Sequence, residues 1–230
     1  MSKIFLITGD RKGIGRSLSE YYLQKGNIVI GCSRGESDLI HNNYQHQICD
    51  VGDEKSVKDL IYFIRKKFGR IDVLINNAGM ASMNHILTTP VITFDKLVHT
   101  NLKGTFLFTQ EASKIMRKKG GNIINFSTVA SPLNLEGEAI YASTKAAVEK
   151  LTKISAYELS PYNIRVNCIG PTPIYTDLIK AVPKDKINKL LSSQAIKRLG
   201  TFDDIKNVID FYQSDNSNFI TGQIIFLGGV

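Results

Sequence analysis

Apolar residues in this chain fall into short unbroken runs separated by longer segments of helical period. Lys3-Ile4-Phe5-Leu6-Ile7-Thr8 is the first such run. Strands are predicted near 3–8, 27–32, 46–49, 72–75, 122–126, 163–169 and 223–227. A continuous run, rather than strict alternation, suits a strand covered on both faces. The intervening segments predict helices near 14–25, 53–67, 93–118, 138–159 and 201–213, with short helical pieces over 176–192. Strands alternating with helices make a parallel sheet with helices on both faces. Right-handed crossovers then give a doubly wound α/β fold, with its ligand at the C-terminal ends of the strands. No repeat, low-complexity stretch or linker interrupts the pattern, so 1–230 reads as one domain.

The pattern thins in one place. Between Ser33-Arg34 and Asp50 lies Gly35-Glu36-Ser37-Asp38-Leu39-Ile40-His41-Asn42-Asn43-Tyr44-Gln45-His46. Gly35 and the Asn42-Asn43 pair predict an irregular loop there instead of a helix. His41 and His46 lack the Cys or carboxylate cluster of a metal site, so no metal is expected.

Composition narrows the class. No apolar run reaches the roughly 18 residues that a membrane span needs, and the chain enters a strand at once, with no visible signal peptide. Cys32, Cys49 and Cys168 fall in predicted strands without zinc spacing, as buried apolar residues would in a reducing cytoplasm. The net charge is +8. Its basic runs, Arg65-Lys66-Lys67 and Arg117-Lys118-Lys119, lie near predicted helix C-termini, where they complement the dipole. With no nucleic-acid motif beside them, they read as solvated surface.

Two motifs carry chemistry. Thr8-Gly9-Asp10-Arg11-Lys12-Gly13-Ile14-Gly15-Arg16 follows the first strand and opens a helix. In that context Gly9 permits a tight turn, Gly13 a close approach to pyrophosphate, and Gly15 close packing of helix on strand. The helix start offers free N–H groups to phosphate. Further on, Tyr141 and Lys145 stand four apart on one predicted helix face. A cation beside a phenol favours the phenolate, which predicts a proton donor and acceptor tuned toward neutral pH.

From Thr8 to Gly229 the chain resembles the short-chain dehydrogenases/reductases. The marks are the G-x-x-x-G-x-G turn, Asp50-Val51, Asn76-Asn77-Ala78-Gly79, Asn101, Ser127-Thr128, Tyr141 with Lys145, Asn167, Pro171 with Thr176, and the ending Phe219-Ile220-Thr221-Gly222-Gln223 and Gly228-Gly229. Within the family it looks most like the 3-oxoacyl-acyl-carrier-protein reductases. The resemblance implies a Rossmann fold of seven parallel strands forming an NAD(P)-binding catalytic domain. It implies that Tyr141 protonates a carbonyl oxygen as hydride arrives from the nicotinamide. Lys145 then lowers the tyrosine pKa and bonds the nicotinamide ribose, and Asn101 holds a relay water. The family serine position, thirteen before the tyrosine, is Thr128 here; it keeps a hydroxyl, with Ser127 the lesser candidate. Consecutive strand residues face opposite ways, so only one should meet Tyr141.

For the cofactor, an acid at the end of the second strand would bond the ribose and repel a 2′-phosphate. Cys32-Ser33-Arg34 has none. Arg34 can clamp a phosphate, Ser33 can donate to it, and Arg11 and Lys12 add charge close by, so NADP(H) is expected. Glu36 or Asp38 looping back to the ribose would be the alternative. The cofactor set by resemblance adds Gly9, Gly13, Ile14, Gly15, Asp50 and Val51 at the adenine edge, Asn77-Ala78-Gly79 on the adenosine side, and Pro171, Ile174 and Thr176 toward the carboxamide. Thr172 replaces the usual glycine after Pro171, which predicts a reshaped substrate side.

A lid is expected over Asp177–Arg198, with Leu178, Ile179, Val182, Ile187, Leu190 and Leu191 toward an apolar pocket. Substrate readings are a 3-oxoacyl thioester, possibly carrier-bound, or a sugar or small ketone. Lys119 matches one basic carrier-docking position, but Tyr162 replaces the second. A non-catalytic NADP- or nucleic-acid-binding protein is the reading of another class, opposed by the retained Asn101, Thr128, Tyr141 and Lys145. Surplus apolar residues on helices 93–118 and 138–159 predict a homodimer, with a homotetramer by the family's second contact.

Overall fold

The computed structural model describes residues 2–175 and 182–230. The predicted lid residues Asp177, Leu178 and Ile179, and the cofactor candidate Thr176, lie outside the described residues. Seven strands form one parallel sheet: β1 (Ile4–Thr8), β2 (Ile28–Ser33), β3 (Tyr44–Ile48), β4 (Val73–Asn76), β5 (Gly121–Phe126), β6 (Ile164–Gly170) and β7 (Ile224–Phe226), in the order β3-β2-β1-β4-β5-β6-β7. The order reverses between β1 and β4. There the strand ends part and leave a crevice for ligand.

The helices are α1 (Gly13–Gln24), α2 (Glu54–Lys67), α3 (Val91–Leu97), α4 (Gly104–Met116), a single turn α5 (Ala130–Leu133), α6 (Ala139–Leu159), α7 (Lys184–Ser193) and α8 (Phe202–Gln213). The helix expected over 93–118 is α3 and α4 joined by π-helical backbone at Val98–Lys103. Their ends follow local chemistry. Asp53 caps α2 by accepting from the Ser56 N–H, and Arg65, Lys66 and Lys67 complete its last turn. Thr201 and Asp204 cap α8 reciprocally.

All five residues of β1 are buried. Ile4 and Leu6 join Ile30, Ile64, Leu74 and Phe108 in one apolar layer. Phe5 and Ile7 join Leu18, Tyr22, Ile205 and Ile209 in the other. Each large apolar side chain so buried contributes about 1.5–3 kcal/mol.

The connection from β2 to β3 carries no helix, as Gly35 and the Asn pair predict. Strand β3 begins at Tyr44, two residues earlier than expected. It is an edge strand pairing only with β2, so its polar residues Gln45 and Gln47 hide it from an apolar-run criterion.

Candidate active site

At the crevice lies a cavity of about 760 Å³. One wall is the glycine turn. Gly9 holds φ +72° and Gly13 φ +56°, backbone that a Cβ would strain. A Cβ on Gly9 would stand 2.9 Å from the Ala78 Cα, and one on Gly15 would stand 2.3 Å from the Gly9 carbonyl oxygen. Gly15 is thus a packing residue, and the turn is open only to a slender group. Lys12 at the start of α1 makes no side-chain cap, and the first turn holds no acid. Its N–H groups therefore suit an anion.

Of the expected cofactor residues, Gly9, Lys12, Gly13, Ile14, Asn77, Ala78, Gly79, Pro171 and Ile174 line this cavity together with Thr128, Tyr141 and Lys145. Arg11, Gly15, Ser33, Arg34, Asp50 and Val51 lie outside its walls. Asn77 Nδ2 donates to the carbonyls of Thr8 (2.9 Å) and Gly9 (3.2 Å), stitching the end of β4 to the turn. Val51 is buried against Gly104, so its side chain serves the core. Asp50 accepts from the Gly52 N–H at 3.0 Å and lies 3.3 Å from His99 Nε2. Arg11, Lys12 and Arg34 are exposed, and none pairs with a carboxylate among the described residues. Asp38 is held by Arg16 at 2.5 Å and does not return to the ribose side. The Ser33 hydroxyl differs from expectation: it donates to the Gly35 carbonyl at 2.8 Å, so its proton is spent within the loop.

On the reaction side, Ser127 and Thr128 part as strand alternation requires. Ser127 Oγ donates to Glu149 on α6, facing away from the phenol. The Thr128 hydroxyl faces Tyr141 and draws its acidity toward lower pH. Thr128→Ser is expected to preserve turnover and Thr128→Ala to lower kcat about tenfold or more, by loss of one bond to the reacting oxygen. Steady-state kinetics on both variants checks this.

The expected downward tuning of Tyr141 is not what the structure gives. Burial pushes the phenol up to about 12, against the opposing pull of Thr128 and with a further push from the Glu138 charge. Lys145 does not counter this, because its Nζ donates to the Phe126 carbonyl at 2.8 Å. Burial brings Lys145 down to about 8. Tyr141 is therefore a neutral phenol at pH 7, the form that donates a proton, and Lys145 is mostly a cation.

Asn101 sits in the π-helical turn, fully buried. Such turns often mark functional positions. Its Oδ1 accepts from the Met80 N–H at 2.8 Å, and its Nδ2 donates to the Met80 carbonyl (2.9 Å) and Thr144 Oγ1 (3.1 Å). Both side-chain protons are committed. Only a lone pair of Oδ1 is left for the relay water expected of it.

Glu138 lines the cavity one helical turn before Tyr141, and sequence reading overlooks it. The i, i+3 spacing to Tyr141 is the signal that could have found it. Its Oε2 is buried with no hydrogen-bond partner among the described residues. Burial raises the carboxyl to about 7, with Lys186 pulling the other way. A carboxyl raised on folding binds its proton more tightly in the native state, so stability falls as pH rises from about 4.5 through 7. Glu138→Gln is expected to remove that fall. It should stabilise by about 1 kcal/mol at pH 8, after screening at this partly exposed site, and by little at pH 4. Thermal melts at both pH values test this.

Thr172 is buried, and its hydroxyl bonds Gln194 at the base of the α7 lid helix. A Cβ on Gly200 would stand 2.9 Å from its methyl. Thr172 thus ties the loop after β6 to the residue that follows α7. Val182, Ile187 and Leu190 of the expected lid line the cavity. Among the described residues no group of three His, Cys, Asp or Glu could hold a metal, and no helix is long and apolar enough to cross a membrane.

A family model described as enoyl-(acyl carrier protein) reductase matches residues 9–229. A 3-oxoacyl-acyl-carrier-protein reductase, FabG, of Staphylococcus epidermidis is 32% identical, covering 100% of this chain and 98% of the relative. FabG of Thermotoga maritima is 32% identical over 99% of this chain and 96% of its own. Among solved structures, ElxO with NADP bound aligns with TM-score 0.90 and 33% identity, covering 99% of this chain and 97% of that one. The ligand-free aldohexose dehydrogenase of Thermoplasma acidophilum aligns with TM-score 0.89 and 29% identity, covering 99% and 93%.

Proposed function

The chain belongs to the short-chain dehydrogenase/reductase family, and on that premise we propose that it reduces a 3-oxoacyl thioester with NADPH. The coarser activity is that of an NADP-dependent oxidoreductase acting on CH–OH groups. The observation that carries the mechanism is the convergence of Thr128, Tyr141 and Lys145 on one wall of a cavity whose other wall is the open glycine turn. NADPH would supply the hydride, and the residues that would hold it are Gly9 and Gly13, which leave room in the turn, and the uncapped N–H groups at the start of α1, which suit its pyrophosphate. The rest falls to side chains. Tyr141 Oη, kept protonated by burial, gives its proton to the carbonyl oxygen. Thr128 Oγ1 bonds the same oxygen and steadies charge developing there. Lys145, mostly a cation at pH 7, lines the same cavity and would bond the nicotinamide ribose. Val182, Ile187 and Leu190 of the lid exclude water and suit an acyl chain.

One observation favours a second reading. The Oε2 of Glu138 in the cavity wall, without a partner among the described residues, suits a hydroxyl on the substrate, as in a sugar or small hydroxy-ketone. NADPH consumption against 3-oxoacyl thioesters and polyhydroxylated ketones decides between them. Preference for the thioesters by kcat/KM supports the first reading. Preference for the hydroxylated ketones, lost in Glu138→Gln, replaces it with the second.

Lys119 supports docking of an acidic carrier protein, and three buried free cysteines suit the cytoplasm. Helices α4 and α6 leave Phe106, Ile154 and Tyr157 exposed, which supports at least a homodimer through those helices, with a homotetramer beyond it. Light scattering at micromolar concentration should give at least twice 25.6 kDa. A monomer mass refutes the interface.

A further inference from the structure

Asp10 is the second residue of the glycine turn, yet its side chain is fully buried. Its Oδ2 accepts from Tyr44 Oη and lies 2.9 Å from His46 Nδ1. Its Oδ1 has no hydrogen-bond partner among the described residues. The carboxylate lies across β2 at Gly31, where a Cβ would stand 1.6 Å from Oδ2, so only glycine permits it there. His46 is the β3 residue paired with Gly31. Its other nitrogen, Nε2, lies 2.9 Å from the Gly35 carbonyl oxygen. That oxygen also accepts from Ser33 Oγ.

A buried carboxylate is costly unless paired. Here the pairing group also reaches the irregular loop between β2 and β3. The two ring nitrogens of His46 face oxygens on opposite sides, one on the buried acid and one on the loop. Gly35 is where two basic residues meet: Arg34 precedes it, and the Arg11 Nη1 lies 2.2 Å from where its Cβ would be. With no helix over this crossover, the Gly35 carbonyl is the point at which His46 ties the start of the loop to β3.

We propose that the Asp10–His46 pair is a positioning device for NADP(H) over NAD(H): through the Gly35 carbonyl it fixes the loop that presents Arg34 and Arg11 to the 2′-phosphate. The inference rests on the reading of Arg34 and Arg11 as the phosphate site. His46 acts twice. It holds the loop, and it offsets an acid that would otherwise repel the phosphate from beneath. Neither effect reaches the nicotinamide end, so catalysis at saturating cofactor is spared.

Calorimetric Kd values for NADP⁺ and NAD⁺ on the full chain test this with His46→Leu, His46→Gln and Arg34→Ala. His46→Leu should weaken NADP⁺ about tenfold or more, leave NAD⁺ within about twofold, and raise the KM for NADPH without lowering kcat. His46→Gln, which still donates one N–H, should lose less and again only for NADP⁺. Equal weakening of both cofactors, or of neither, overturns the positioning role. If His46→Leu fails to fold, His46→Gln carries the same test alone. Arg34→Ala separates the premise. If it abolishes the preference while the His46 variants keep it, the phosphate reading stands and the positioning role falls. If it leaves the preference intact, the phosphate reading itself falls.

Discussion

Tyr141→Phe is expected to lower carbonyl reduction by about a thousandfold while NADP(H) binds nearly as before. The substitution keeps the ring and its packing and removes the one proton aimed at the carbonyl oxygen. General acid catalysis of this kind contributes about 10²–10⁴ in rate. Thr128 can bond the oxygen but cannot replace the acid, because an aliphatic hydroxyl is far less acidic than a phenol. Stopped-flow turnover beside a fluorescence titration of NADPH separates the two readouts. Near-wild-type turnover would assign the proton to another group.

Lys145→Met is the second large effect. Activity should fall about a hundredfold or more, and NADP(H) should bind more weakly, because the buried cation of the cavity wall that would bond the nicotinamide ribose is lost. Stability should move the other way. Burial lowers the Lys145 pKa to about 8 from 10.5. A base lowered on folding holds its proton less tightly in the native state, so the charged form costs stability at pH 7 and stability rises with pH between about 8 and 10.5. The cost is about 3 kcal/mol at neutral pH, and losing the bond to Phe126 offsets about 1 of it. A variant that is dead yet melts no lower than wild type is therefore the expected outcome. In the wild type, reduction should decline as pH rises through about 8, where Lys145 loses its charge. A flat rate from pH 6 to 10 would remove Lys145 from the mechanism.

The elements most legible in the sequence are those whose pattern is set by burial on both faces. Strands β1 and β4 announce themselves as apolar runs. Strand β3 does not, because an edge strand tolerates Gln45 and Gln47. The site was legible where chemistry and spacing coincide: Tyr141 with Lys145 on one helix face, and Thr128 opposite Ser127 by strand alternation. What the sequence could not convey depends on depth. The direction of the Tyr141 shift follows from desolvation, and a linear motif carries no measure of burial. The π-turn at Asn101 leaves no mark in helical periodicity. Asp10 hides among polar turn residues, and only the glycine across from it on β2 shows that its carboxylate points inward.

The helix-free crossover from β2 to β3 also bears on how such a scaffold could change its cofactor. Only Leu39 of the 34–43 segment packs on an apolar layer. Replacing the segment as a cassette would leave both layers and every catalytic side chain in place, provided the backbone oxygen at position 35 still meets His46. On the proposed reading, Arg34's share of cofactor choice would travel with that cassette, while Arg11 stays behind in the glycine turn.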